Sequence, residues 1–197
     1  MVKYEFSKMD VFPSYIESER IEFIPVHQSD ISVRRMFQRY SSIPEENTTG
    51  VTFEPYETMD EAKEFLERSK REFNEGESAT YVMRLCETGD WIGISGLEIR
   101  WDRKVAESGI YLFEDYWGEG YGTERGETML EIAFTEYNID AGVSRCAVDN
   151  TASQKSIEKY VVGNGGSKYG RIPNEQMGSQ LKDLYMYVVK RTEYENE

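Results

Sequence analysis

The sequence contains one histidine, His27, and two cysteines, Cys86 and Cys146, among 197 residues. One histidine argues against a His-based catalytic triad and against a multi-histidine metal site. The cysteines lie in predicted strands, at no spacing typical of metal binding or redox chemistry, so we expect two reduced thiols in the core. Catalysis must therefore use other residue types, and no metal site is expected.

Long apolar runs and positive charge are scarce as well. No run approaches the roughly 20 apolar residues of a membrane span, and the N-terminal residues lack the apolar centre of a signal peptide, which predicts a cytoplasmic protein. The formal net charge is −14. It argues against nucleic acid and anionic membranes as partners, because both bind cationic surfaces. Solubility is the simpler explanation of this charge, and attraction of amine substrates is the functional one.

The length fits a single domain over residues 1–197. Short connections between successive strands predict antiparallel pairing, so the fold class is mixed α/β with helices among mostly antiparallel strands. Residues 41–55 are predicted to form a flexible loop that could border an acceptor site. We predict helices over 29–40 (capped by Ser29-Asp30), 58–73, 119–137 and 151–162, and strands over 21–26, 79–86, 91–100, 105–113, 142–148, 166–172 and 181–191.

The most informative segment is 116–124, where Gly118, Gly120 and Gly122 alternate just before a predicted helix. Glycines let the backbone approach an anion, and the free amides of a first helical turn then bind it, so the pattern is typical of a phosphate site. It is neither a Walker A loop nor a dinucleotide fingerprint. Glu119 and Glu124 would repel a phosphate unless their side chains point away.

Gly120-Tyr121-Gly122 resembles the glycine pair of the acyl-coenzyme A motif in the GNAT superfamily of N-acetyltransferases, with Trp117 in place of the usual Gln or Arg. Tyr-Trp-Gly-x-Gly-Tyr resembles the branch of ribosomal-protein N-terminal acetyltransferases. Further matches to this branch occur in family order over most of the chain, at 18–30, 92–97 and 150–159.

The resemblance implies a sheet splayed after its fourth strand, with acetyl-coenzyme A wedged into the opening. The amide near Leu112 would polarise the thioester carbonyl. The implied cofactor-binding residues are Leu112, Trp117, Gly118, Glu119, Gly120, Tyr121, Gly122, Thr123, Asn150 and Ser153.

The proton donor for the leaving thiolate is the first open point. The family's usual tyrosine, seven residues after Asn150, is replaced by Ile157, and by resemblance to the branch Ser153 can serve instead. Asn150 and Ser153 are also typical helix-capping residues, and capping and cofactor contact can coexist.

The base and the acceptor are open as well. Glu98 and Glu107 lie on strands predicted to flank the splay and are candidate bases, although an N-terminal amine could lose its proton to water. The chain departs from the branch after Glu158-Lys159. The expected acceptor is a protein N-terminal amine reacting by direct attack. The alternatives are a small amine, such as a polyamine, an aminoglycoside or an amino acid derivative, and a non-catalytic acyl-coenzyme A-binding module; a homodimer is possible for each.

Overall fold

The computed structural model describes residues 2–7, 10–44, 47 and 53–194. The strands are β1 (Lys3–Glu5), β2 (Tyr15–Glu17), β3 (Ile21–Pro25), β4 (Ser78–Leu85), β5 (Trp91–Arg100), β6 (Val105–Leu112), β7 (Ala141–Ala147), β8 (Ser167–Met177) and β9 (Gln180–Lys190). The helices are α1 (Val33–Tyr40), α2 (Met59–Glu75), α3 (Tyr121–Glu136), α4 (Thr151–Val162) and the short α5 (Arg191–Tyr194).

The strands form one sheet in the order β1-β2-β3-β4-β5-β6-β7-β9-β8. Among the described strands, all neighbouring pairs are antiparallel except β6 and β7, which are parallel and are joined through α3. The sheet separates two apolar layers: α3 and α4 pack on one face, and α1 with most of α2 on the other. The predicted mixed α/β class is confirmed.

The parallel pair is short. β6 and β7 pair only over Val105–Glu107 and Ala141–Val143, although both strands continue beyond these residues. The remaining part of β6 pairs with β5 on one side and has no strand partner among the described residues on the other. β6 is the fourth of the predicted strands, so the opening lies where the family resemblance placed it.

Several predicted boundaries need correction. The first helix begins after Ser32, whose hydroxyl accepts the Arg35 amide at 3.2 Å, and not after Ser29-Asp30. Two N-terminal strands of three residues each were missed, because such short segments carry no periodic pattern. β8 extends five residues past its predicted end at 172. Much of the predicted flexible loop 41–55 lies outside the described residues.

The cysteines behave differently from each other. Cys146 is buried in β7, and burial raises the pKa of its thiol to about 11. The prediction of a core position was wrong for Cys86, which follows the last residue of β4 and is exposed. No group of three or more metal-ligating side chains occurs in the described part of the chain. None of its helices has the length and apolar character of a membrane span.

Candidate active site

A cavity of about 1340 Å³ occupies the opening between β6 and β7 and extends to both faces of the sheet. Glu119 and Tyr121 are the two predicted site residues that do not line it. The predicted site residues that do line it are Glu98, Glu107, Leu112, Trp117, Gly118, Gly120, Gly122, Thr123, Asn150 and Ser153. The fold therefore brings together residues from two strands, the glycine loop and the start of α4.

The glycine loop connects β6 to α3. Gly118 and Gly120 both have φ of +85°, a left-handed conformation that favours glycine, and Gly120 is the residue preceding the helix. The indole nitrogen of Trp117 donates to the Leu112 carbonyl at 2.8 Å. Trp117 therefore holds the loop against the end of β6, a role that the family motif did not suggest for this position.

Five successive amides at the end of this loop, those of residues 118–122, have no hydrogen-bond acceptor among the described residues. The next two amides, of Thr123 and Glu124, both donate to the Gly120 carbonyl at 3.1 Å. Unpaired amides at a helix N-terminus, together with the positive end of the helix dipole, form an anion-binding site. The loop thus has the donors that a pyrophosphate needs.

Glu124, which could have opposed such an anion, is neutralised by Arg20. Its carboxylate accepts the Arg20 Nε–H at 2.7 Å, the Arg20 amide at 2.7 Å and the Ser18 hydroxyl at 2.8 Å. Arg20 also donates to the Glu119 carbonyl at 3.0 Å and lies 4.6 Å from the centre of the Tyr121 ring. Sequence reasoning missed this role of Arg20, because the two partners are 104 residues apart.

The start of α4 lies across the opening from the loop. The Asn150 side-chain oxygen accepts the Ser153 amide at 3.0 Å, so the predicted helix cap is present. The cap uses the backbone amide of Ser153, and the Ser153 side chain separately forms a hydrogen bond with the Cys146 thiol. Lys155 and Lys159 follow on α4 and also line the cavity, adding positive charge on this side. Lys159 belongs to the matched segment 150–159, whereas Lys155 was not singled out from the sequence.

The tyrosine nearest to Ile157 does not replace the missing family tyrosine. Tyr160 is buried, and its hydroxyl donates to Ser144 Oγ at 2.8 Å. Its ring packs on Gly126 of α3, where an added Cβ would lie 2.3 Å from the ring. Tyr160 therefore fixes α4 against α3, and Ile157 is a buried apolar wall of the cavity.

The two candidate bases lie opposite each other on β5 and β6 and are both in ion pairs. Glu107 Oε1 lies 2.6 Å from Arg145 Nε, and Glu107 Oε2 lies 3.6 Å from Arg100 Nη2. Glu98 Oε1 lies 3.0 Å from Arg100 Nε and its side chain is 49% exposed. At least one oxygen of each carboxylate is therefore engaged by an arginine.

The face of the sheet under α1 and α2 contains an open floor. Gly96 and Gly109 are direct partners on β5 and β6, and a Cβ added to either would meet no atom within 4 Å. Around this floor the cavity is lined by one arginine, Arg68, and by a larger number of carboxylates and aromatic rings, namely Glu54, Glu61, Glu64 and Glu98 with Tyr40, Phe53, Tyr56 and Tyr111. Such a surface suits a cation with apolar substituents.

A sheet opened between two parallel strands, beside a glycine-rich helix start, defines the class of acyl-coenzyme A-dependent N-acyltransferases. Residues 20–160 match the family model described as an acetyltransferase (GNAT) domain, and the chain belongs to this family. Acetyl-coenzyme A is accordingly its cosubstrate.

The individual proteins to which this chain is similar are also named as N-acetyltransferases. The uncharacterized N-acetyltransferase p20 of Bacillus licheniformis is 23% identical over 181 residues, which cover 91% of this chain and 99% of that protein. The coenzyme A complex of RimL, a ribosomal L7/L12 alpha-N-protein acetyltransferase, has a TM-score of 0.73 at 17% identity, covering 88% of this chain and 95% of that one. The spermidine N-acetyltransferase of Vibrio cholerae, in complex with coenzyme A and spermine, has a TM-score of 0.71 at 18% identity, covering 89% and 98%.

Proposed function

We propose that residues 1–197 act as a single domain in which a primary amine attacks the thioester of bound acetyl-coenzyme A directly. The amine nitrogen forms the new amide bond, and the thiolate leaves with a proton. The observation that supports this proposal most strongly is the run of unpaired amides at residues 118–122, which begins α3 beside the cavity. These amides would bind the cofactor pyrophosphate.

The thioester would lie along the free edge of β6. The Phe113 amide donates to the Ile92 carbonyl, toward β5, and backbone groups alternate along a strand. The amides of Ser108, Ile110 and Leu112 therefore face the opening. An amide donor near Leu112 would stabilise the oxyanion that develops when the amine attacks the carbonyl carbon.

The amine would enter from the α1/α2 face. The carboxylates and aromatic rings around the Gly96–Gly109 floor favour a cationic acceptor, whose proton then passes to water or to a carboxylate. We propose a protein N-terminal amine as the acceptor, in line with the branch that the glycine loop resembles. A small polyamine is the second candidate, because the same acidic and aromatic lining would bind it. Ser153 would protonate the departing thiolate.

The test is a mass-spectrometric screen with the purified protein and acetyl-coenzyme A. Peptides with free and with blocked N-termini are compared at matched sequence, alongside polyamines and lysine side-chain analogues. We expect one acetyl group on each peptide with a free N-terminal amine and none on the peptides with a blocked N-terminus. Acetylation of polyamines alone would identify small polyamines, and not protein N-terminal amines, as the acceptor class. Coenzyme A binding without any product would indicate a non-catalytic module.

A further inference from the structure

Arg125 of α3 is a buried arginine that the proposed mechanism does not use. Its side chain is 1% exposed and lines the cavity. Its Nη1 donates to the Ser108 hydroxyl at 2.9 Å, whereas its Nε has no acceptor among the described residues. Burial lowers the pKa of the guanidinium, but an arginine remains charged at neutral pH.

The charge of Arg125 has no ion-pair partner in the described part of the chain. The carboxylate next to it in sequence, Glu124, is held by Arg20 on the other side of the loop. The other arginine at the opening, Arg145, pairs with Glu107 at 2.6 Å and with Glu175 at 3.3 Å. An arginine buried without a counter-ion is costly, and binding of an anion would remove that cost.

The position of Arg125 indicates where such an anion would sit. Ser108 is the first residue of β6 beyond its pairing with β7, so the guanidinium lies at the closed end of the opening. It reaches this point from the α3/α4 face. The carboxylates around the Gly96–Gly109 floor, Glu98 among them, lie on the opposite face, under α1 and α2.

We propose that Arg125 binds a carboxylate of a substrate inside this cavity. One source is the acyl group of a dicarboxylic acyl-coenzyme A, such as succinyl-coenzyme A; the other is a carboxylate of the amine acceptor. Arg125 lies on the face opposite the carboxylates where the amine is proposed to enter. This position favours the acyl group, and not the acceptor, as the source of the bound carboxylate. The reaction is unchanged: the amine displaces the thiolate at the thioester carbon, and the distal carboxylate remains bound to the guanidinium. This inference rests on the proposed placement of the cofactor in the opening.

Calorimetric titrations test whether Arg125 binds an acyl carboxylate. Coenzyme A, acetyl-coenzyme A and succinyl-coenzyme A are each titrated into the wild-type protein, Arg125→Met and Arg125→Lys. For an acyl carboxylate, we expect wild type to bind succinyl-coenzyme A about tenfold or more tightly than acetyl-coenzyme A, which corresponds to one charge-assisted hydrogen bond. Arg125→Met should lose this preference and keep its affinity for coenzyme A, and Arg125→Lys should retain part of the preference.

A second arm tests the acceptor. Amino acids and their carboxamides are compared as acceptors of the acetyl group, and succinyl- and acetyl-coenzyme A are compared as donors in competition, first with the wild-type protein. A preference for the carboxylate of the acceptor, absent for the donor and reduced in Arg125→Lys or lost in Arg125→Met, assigns Arg125 to the acceptor. If the wild-type protein prefers neither a donor nor an acceptor that carries a carboxylate, the inference is overturned. This result does not require Arg125→Met to fold. Absence of coenzyme A binding would instead refute the proposed cofactor site, and this inference with it.

Discussion

Gly96→Val tests whether the amine enters across the glycine floor. Gly96 lies on β5, one strand away from the opening, and faces the α1/α2 side. A valine Cβ there would meet no protein atom within 4 Å. Glycine is poor and valine good in a strand, so we expect the free energy of unfolding to stay within about 1 kcal/mol of wild type.

The same side chain would fill space that the acceptor needs. One misplaced methyl group in a binding pocket changes specificity by about 1–3 kcal/mol, so kcat/KM for the amine should fall by roughly ten- to a hundredfold. The affinity for coenzyme A, measured by calorimetry, should change less than about twofold, since its proposed site lies at the loop before α3.

Steady-state kinetics at saturating acetyl-coenzyme A measure the effect, with chemical denaturation as the check on folding. Gly170→Val is the matched control, because Gly170 is a strand glycine on β8 with equally open surroundings and does not line the cavity. A folded Gly96→Val protein with wild-type kcat/KM for the amine would refute entry from this face.

Three further changes test the other parts of the site. Gly120→Val should weaken coenzyme A binding, but it also places valine at φ +85°, which costs stability. Gly89→Val is the control, because Gly89 has φ of +73° and open space around it. It should show the same stability loss of about 1–2 kcal/mol with unchanged calorimetric affinity for coenzyme A. Ser153→Ala should lower turnover by roughly ten- to a thousandfold while preserving the helix cap, which uses the Ser153 amide; unchanged turnover would leave Ser153 without a role as proton donor. If Glu107 is the base, Glu107→Gln should slow the reaction chiefly at low pH, where fewer amines are already neutral, with partial rescue at high pH; Glu175→Gln, which removes the other acidic partner of Arg145, should keep the wild-type pH–rate profile.

The glycine loop and the strand order could be predicted from the sequence because their signals are local. Alternating glycines before a helix need only neighbouring residues, and short turns between β4, β5 and β6 restrict the pairing to antiparallel. The opening after β6 followed from the family resemblance. Its geometry depends on pairing between strands more than thirty residues apart, which no local pattern specifies.

The parts that were missed depend on contacts between distant residues. Arg20 and Glu124 meet across 104 residues, and Gly96 and Gly109 become one floor only when β5 and β6 are in register. The burial of Arg125 follows from the packing of α3 on the sheet, and an arginine in a helical sequence normally predicts an exposed position. Glu107 lies on β6, which borders the opening as predicted, but the prediction was wrong for Glu98, which lies on β5, one strand away. Their shared partner Arg100 could not be foreseen from spacing alone.

The most direct measurement is a crystal structure of the protein with coenzyme A. We expect the pyrophosphate to lie within hydrogen-bonding distance of the amides of residues 118–122, with the pantetheine arm along the free edge of β6 and its sulfur near Ser153. A pyrophosphate bound elsewhere, with these amides left without a ligand in a protein that binds coenzyme A in solution, would refute the proposed cofactor site.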